Sequence, residues 1–135
     1  VLYDEWKRSN FPSPGDQGNP LISGPMANPQ RDGVANLLRY AFDINSGINP
    51  LTRMPRLAPG SPAPEFQFYF DPGKNDIAYI LEASENLLDW GRVLFDSRLD
   101  ATDAWDGGLF AVPDDEYGAD QPRQFYKLRI LWEEP

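Results

Sequence analysis

The residues best equipped to do chemistry in this 135-residue chain gather between positions 96 and 120. Asp96, Asp100, Asp103, Asp106, Asp114, Asp115, Glu116 and Asp120 stand there against a single base, Arg98, so most of the net charge of −9 is local. Within this stretch Asp100-Ala101-Thr102-Asp103-Ala104-Trp105-Asp106-Gly107-Gly108 sets one large aromatic in a polar, glycine-hinged segment. An indole laid on the apolar face of a sugar ring, with carboxylates accepting hydroxyl protons at its edge, satisfies both halves of a neutral saccharide. Trp105, Asp103 and Asp106 are therefore the candidate ligand-binding residues, with Tyr117 extending the platform. The same residues fit a plainer arrangement, in which Trp105 folds back as a lid and the acids keep the surface soluble.

Other chemistries lose their usual reagents. The chain has no histidine and no cysteine, which removes the common base of a catalytic triad, the usual ligands of zinc, copper and haem, and every thiol nucleophile or disulfide. No serine sits in a Gly-x-Ser-x-Gly elbow, and no glycine-rich phosphate loop precedes a helix. Paired carboxylates are plentiful, but neighbours such as Asp114-Asp115-Glu116 point different ways on a loop, where they stay solvated and ionised rather than acting as general acids. The chain is read as non-catalytic. Its acidity repels phosphate backbones and anionic headgroups, so nucleic-acid and membrane-surface roles are disfavoured. No apolar run is long enough to span a bilayer.

The elements that must carry these residues fall into three zones. Hydrophobic residues make up 41% of the chain, enough for a core, while 14 prolines and 11 glycines call for many turns and short elements. Residues 1–48 carry helical signals: Leu2, Trp6 and Phe11 are expected to face inward from a short helix that ends before Pro12. Val34, Leu37, Leu38, Ala41 and Phe42 form the stripe of a second helix, starting at Asp32-Gly33 and ending at Ser46-Gly47. Residues 49–64 hold five prolines and read as an extended connector. From Glu65 onward the pattern alternates, predicting strands over 66–70, 77–83, 92–96, 108–112 and 124–132, with Asp71 to Asp76 forming the first turn.

Three motifs in order carry a resemblance. Asn28-Pro29-Gln30-Arg31-Asp32-Gly33-Val34-Ala35-Asn36-Leu37-Leu38-Arg39-Tyr40-Ala41-Phe42 resembles the "DPDGDGxxNLLEYALG" segment near the C-terminus of many secreted proteins of Verrucomicrobia and related bacteria, itself similar to thrombospondin type-3 and EF-hand-like calcium loops. Tyr79-Ile80-Leu81-Glu82-Ala83-Ser84-Glu85-Asn86-Leu87-Leu88-Asp89-Trp90 is similar to the "YxVExSxDLxxW" strand and turn of the same family, and Gln124 to Ile130 to its closing "RFLRLRV" strand. The resemblance implies a helix-plus-sandwich domain attached to extracellular enzymes or surface proteins, and it implies no particular ligand. The calcium loop is degenerate. Aligned on Gly33, the ligand positions hold Asn28, Gln30, Asp32, Val34 and Arg39, so amides replace two carboxylates and a cation replaces the closing Glu. Calcium is disfavoured and no cofactor is expected; Asp32 is expected to cap the helix, with Arg39 replacing the ion through a salt bridge to it.

The expected fold is α+β and mainly β: an antiparallel immunoglobulin- or fibronectin-like sandwich with a short N-terminal helical region, forming one domain over residues 1–135. Trp90 is expected in the core or at a corner, Trp6 as a staple between helix and sandwich, and Trp132 in the core or against a neighbouring domain. The expected function is carbohydrate binding by a secreted or cell-surface accessory module. Its expected partners are a polysaccharide or cell-surface glycan and the neighbouring domains of a parent protein, from which the chain, starting at Val1, looks excised. The alternative is a structural spacer or C-terminal sorting domain with no soluble ligand.

Overall fold

A computed structural model of the chain describes residues 2–45, 48–59, 64–100, 107–114 and 124–133. Four short helices, α1 (Tyr3–Asn10), α2 (Pro14–Gln17), α3 (Pro20–Ser23) and α4 (Asn36–Ala41), precede six strands. The strands are β1 (Arg56–Ala58), β2 (Glu65–Phe70), β3 (Ile77–Ser84), β4 (Arg92–Asp96), β5 (Gly108–Pro113) and β6 (Phe125–Trp132). They form two antiparallel three-stranded sheets, ordered β1-β2-β5 and β4-β3-β6. The protein is thus α+β and mainly β.

Alternation decides which residues meet between the sheets. In β2, Phe66, Phe68 and Phe70 share the face that enters the core, joined by Phe110 from the partner strand β5. From the other sheet come Tyr79 of β3 and Phe95 of β4. Tyr79 stacks on Phe68 with ring centroids 6.0 Å apart and meets Phe70 edge-on at 4.8 Å. Phe95 and Phe110 lie 5.0 Å apart. Offset and edge-on geometries let the aromatic quadrupoles attract while the rings fill the space between sheets. All eight residues of β3 are buried, and long side chains of β6 lie along its second face. Arg129, opposite Ile80, pairs with Glu82, and Lys127, opposite Glu82, lies 4.4 Å above the ring of Trp90. Trp90 therefore sits half-buried at a corner, with its Nε1 donating to Leu87 O at 3.1 Å.

The helices dock through the turn between β2 and β3. Asp76 there is buried and accepts the backbone N–H of Tyr3 at 2.7 Å on one oxygen and the hydroxyl of Tyr40 at 2.5 Å on the other. Lys74, also buried, donates to Tyr40 O at 2.6 Å and pairs with Asp43 at 2.5 Å. Tyr79 closes the seam by donating its hydroxyl to Ala41 O at 2.6 Å. Trp6 is buried between Tyr3, Phe11 and Tyr40, so it joins α1 to α4 rather than stapling the helix to the sandwich as the sequence reading expects. Trp132 packs on Tyr3 with centroids 5.6 Å apart, so the last strand reaches the first helix.

Several details differ from the sequence reading. Leu2 is 42% exposed, and Tyr3 takes its place on the inward face of α1. The second helix is shorter at both ends. Its first amides are met by backbone, Asn36 N by Ala27 O at 2.9 Å and Leu37 N by Pro25 O at 2.8 Å, so no side-chain cap is needed. It ends where Asp43 turns left-handed (φ 55°) and Ile44 N reaches back to Arg39 O at 2.8 Å, earlier than Ser46-Gly47. Within the proline-rich connector, Arg56–Ala58 pairs with β2, because the prolines fall outside those three residues. Asp114 is 1% exposed rather than solvated: Arg92 holds it with two nitrogens at 2.5 and 2.9 Å, and the Tyr126 hydroxyl donates to it at 2.8 Å.

The seam at Asp76 has a measurable weight. Asp76→Ala removes the acceptor of two buried donors, each worth about 1–3 kcal/mol when stranded. Urea unfolding should show a loss of about 3 kcal/mol, and Tyr40→Phe should lose about 1 kcal/mol. Midpoints unchanged in both variants would contradict the role given to the turn.

Candidate functional site

Trp105, Asp103, Asp106 and Tyr117 lie outside the described residues, so the geometry of a site must come from elsewhere. Where the helices meet the β2–β3 turn the surface opens into a cleft of about 510 Å³. Its walls come from three segments. Helix α1 supplies Glu5, Trp6, Ser9 and Asn10, the stretch after α4 supplies Asp43 and Asn45, and the turn supplies Asp71 and Lys74.

Much of this lining is held rigidly by the fold. Asn10 donates to Trp6 O at 2.9 Å and Ser9 to Glu5 O at 3.2 Å, one helical turn back in each case. The Trp6 indole donates to Asn45 Oδ1 at 3.3 Å, which leaves the Asn45 amide nitrogen as a donor. Asp71 Oδ1 accepts Gly73 N at 2.8 Å, an Asx turn that fixes the bend after β2. Lys74 lies in the cleft wall with its charge already taken by Asp43. Three carboxylates against one lysine make the cleft negative, and its remaining groups are amides and a hydroxyl. Among the described residues no group of three acids is close enough to hold a metal ion.

The phenols around the seam are locked in the neutral form. Burial pushes the Tyr3, Tyr40 and Tyr79 hydroxyls well above the ordinary tyrosine range, and the hydrogen bond to Asp76 pushes Tyr40 further. They act as fixed donors, not as acids.

The loop at Asn28 to Arg39 is closed from within. Arg39 is buried, 3% exposed, and pairs with Asp32 Oδ2, while Asp32 Oδ1 accepts Val34 N at 3.1 Å. Asn28 Oδ1 accepts Asp32 N at 3.3 Å. Gly33 takes φ 82°, the left-handed bend its position requires. Asp32 therefore supports the bend ahead of α4 and not the helix end itself. Gln30 has no part in this network. The guanidinium occupies the acidic side chain that a cation would need, and the hydrogen bond from Arg39 holds the Asp32 carboxyl below the usual carboxylate range.

The sequence reading missed Lys74, Asp76 and Asp43. A run of Asp-Pro-Gly-Lys-Asn-Asp between two strands has the composition of any solvated turn, and nothing in its spacing marks two of its charges as buried. The acidic stretch is likewise more structural than its composition suggests. Asp96 pairs with Arg98, whose hydrogen bonds hold it below its ordinary range, and Asp100 accepts Asp96 N at 2.7 Å.

Comparison with protein-family models, with curated proteins and with solved structures finds no match. Among the described residues no helix is long and apolar enough to cross a membrane.

Two outcomes follow from the closed loop. Thermal melts in excess EDTA and in millimolar calcium should coincide, since a ligand raises stability only by binding the folded state selectively. A calcium-dependent rise that Asp32→Ala abolishes would contradict this. Because the folded Asp32 carboxyl is depressed, its stabilisation is present above the unfolded value of about 3.9 and is lost as pH falls toward the folded one. Asp32→Asn should therefore flatten part of the acid limb of stability below about pH 4. An acid limb identical to that of the parent would contradict the ion pair.

Proposed function

We propose that the chain is a non-catalytic accessory domain that holds a neutral, hydroxyl-rich glycan in the cleft between α1, the stretch after α4 and the β2–β3 turn. The observation that carries this reading is the lining of that cleft: carboxylates, amides and a hydroxyl around one indole edge, in a volume within the range of small-ligand sites. Negative charge disfavours anions, and bound carboxylates and amides are suited to accepting and donating hydrogen bonds with sugar hydroxyls. Catalysis fits poorly. A general acid needs a carboxyl kept protonated by apolar surroundings, whereas Asp43 faces Lys74 and Asp71 accepts a backbone amide.

The resemblance to domains of secreted Verrucomicrobia proteins supports an extracellular or cell-surface setting and an attached enzyme or surface protein. The two facing sheets support the immunoglobulin- or fibronectin-like form of that resemblance. The competing reading, a spacer or sorting domain without soluble ligand, draws on the burial of Trp6: at 7% exposure it offers little ring face to a sugar.

Titration of labelled protein with neutral oligosaccharides separates the two. Binding is expected in the micromolar-to-millimolar range of a few good contacts, with shifts at the amides of Glu5, Ser9, Asn10 and Asn45. Glu5→Ala and Asn45→Ala should each weaken it about tenfold, the loss of one or two hydrogen bonds. A broad neutral panel that moves none of these amides would hand the reading to the spacer.

A further inference from the structure

The face of the β1-β2-β5 sheet that points away from the core has an unusual make-up for so acidic a chain. With Phe66, Phe68 and Phe70 facing inward, alternation puts Glu65, Gln67 and Tyr69 on the other face, where all three are half-buried and Tyr69 still packs partly against the core. The register across the sheet then sets Ala58, Glu65 and Pro113 in one row, Arg56, Gln67 and Ala111 in the next, and Tyr69 beside Leu109 in the third. Ala111 and Pro113 are exposed and Leu109 is 41% exposed, so the β5 side of this face is open to solvent.

Two arginines converge on the other side. Arg56 is exposed and donates its Nε to Gln67 Oε1 at 2.8 Å, which fixes the guanidinium while leaving both terminal nitrogens available. Arg53 lies with its guanidinium carbon 4.4 Å from the centroid of the Tyr69 ring. That contact orders the charge without neutralising it. Gln67 and Tyr69 are alternate residues of β2, so the two anchor points are about 7 Å apart along the strand.

Other arginines make the contrast. Arg39, Arg92, Arg98 and Arg129 each pair with a carboxylate, respectively Asp32, Asp114, Asp96 and Glu82. Arg53 and Arg56 pair with none among the described residues and, unlike the equally unpaired Arg8 and Arg31, are held by a side-chain hydrogen bond and a ring contact. Glu65, one row further on, is the single carboxylate these rows place on the face. A chain of net charge −9 thus keeps two ordered guanidinium groups without a carboxylate partner on one sheet face.

We propose that this face binds an anionic glycan, with Arg53 and Arg56 each taking the carboxylate or sulfate of a sugar residue. The planar guanidinium fork matches such oxyanions with two parallel hydrogen bonds and sheds its hydration easily. The short side chains of Ala111 and Pro113 leave room for a polymer to lie across the strands, and Leu109 offers apolar surface beside the charges. A peptide would instead be caught at a sheet edge by main-chain hydrogen bonds, which a sheet face does not offer. Duplex DNA, with a charge about every 1.7 Å, calls for more cations along its path than the two this face offers.

Affinity electrophoresis of the full chain tests this, through native gels containing polygalacturonate, dextran sulfate, neutral dextran or duplex DNA. Retardation is expected in polygalacturonate, in dextran sulfate or in both, which tells carboxylate from sulfate, and it should weaken as salt rises. The Arg53→Gln/Arg56→Gln double variant, its fold checked by circular dichroism, should lose at least fivefold of that retardation. The Arg53→Lys/Arg56→Lys variant should recover only part, since lysine keeps the charge but not the fork. Neutral dextran should act on the glutamine double variant as it acts on the parent, so failure here and failure of the neutral-glycan cleft are told apart. Unretarded migration in both anionic gels, equal retardation of the glutamine double variant, or equal retardation by duplex DNA would each overturn the proposal.

Discussion

The structure depends on two charged side chains placed where charge is expensive. Lys74 and Asp76 are 4% and 7% exposed, in a turn between strands that would ordinarily be solvated. Removing either charge from water costs several kcal/mol unless its bonds are replaced. Here they are replaced by the Tyr3 amide, the Tyr40 hydroxyl, the Tyr40 carbonyl and the Asp43 carboxylate. All four belong to the helical region. The strands can keep these charges buried only while the helices stay in place, so the turn makes the two halves of the chain mutually dependent. The cleft at their junction inherits its shape from the same contacts.

A second polar tie works at the opposite end of the sandwich. Arg92 at the start of β4 holds Asp114 at the end of β5, while Tyr126 of β6 donates to the same carboxylate and Asp114 N reaches Pro64 O at 2.9 Å. This links both sheets beside the Phe66–Tyr126 contact, whose ring centroids lie 6.0 Å apart. Buried ion pairs of this kind add less net stability than their Coulomb energy suggests, but breaking one partner is costly, so they favour a single alignment of the sheets over slipped ones. Much of the protein's acidity is accordingly internal machinery. Asp32, Asp43, Asp76, Glu82, Asp96 and Asp114 each hold a specific partner, and arginines 53 and 56 are among the bases this pairing leaves over.

The strands were legible because their chemistry is local. Alternation over 66–70 and 77–83, and the run at 92–96, needs only the pleat and a buried face, and all three fall within a residue of the observed elements. The ends of α4 were not legible, since its first amides bond to carbonyls at 25 and 27 and its last turn is closed by a left-handed Asp43. Those partners are set by tertiary packing. The Asp32–Arg39 pair was anticipated because a cation had taken a position where a carboxylate stands in the resembling loops. Lys74, Asp76 and the cleft gave no signal, because burial of these turn charges depends on partners 31 to 73 residues away. Asp114 was misread for the same reason: next to Asp115 and Glu116 it looks solvated, and only Arg92 and Tyr126 reveal otherwise.

The central claim is that the β2–β3 turn holds the helices to the sandwich, and amide hydrogen exchange in the Asp76→Ala variant tests it most directly. If the turn is the clamp, amides of α1 and α4 should lose protection together and by a large factor, while the β3–β6 ladder loses much less, because local opening follows the contacts that were removed. Equal loss across helices and ladder, or unchanged protection in α1 and α4, would show that the helices are held by something other than Asp76.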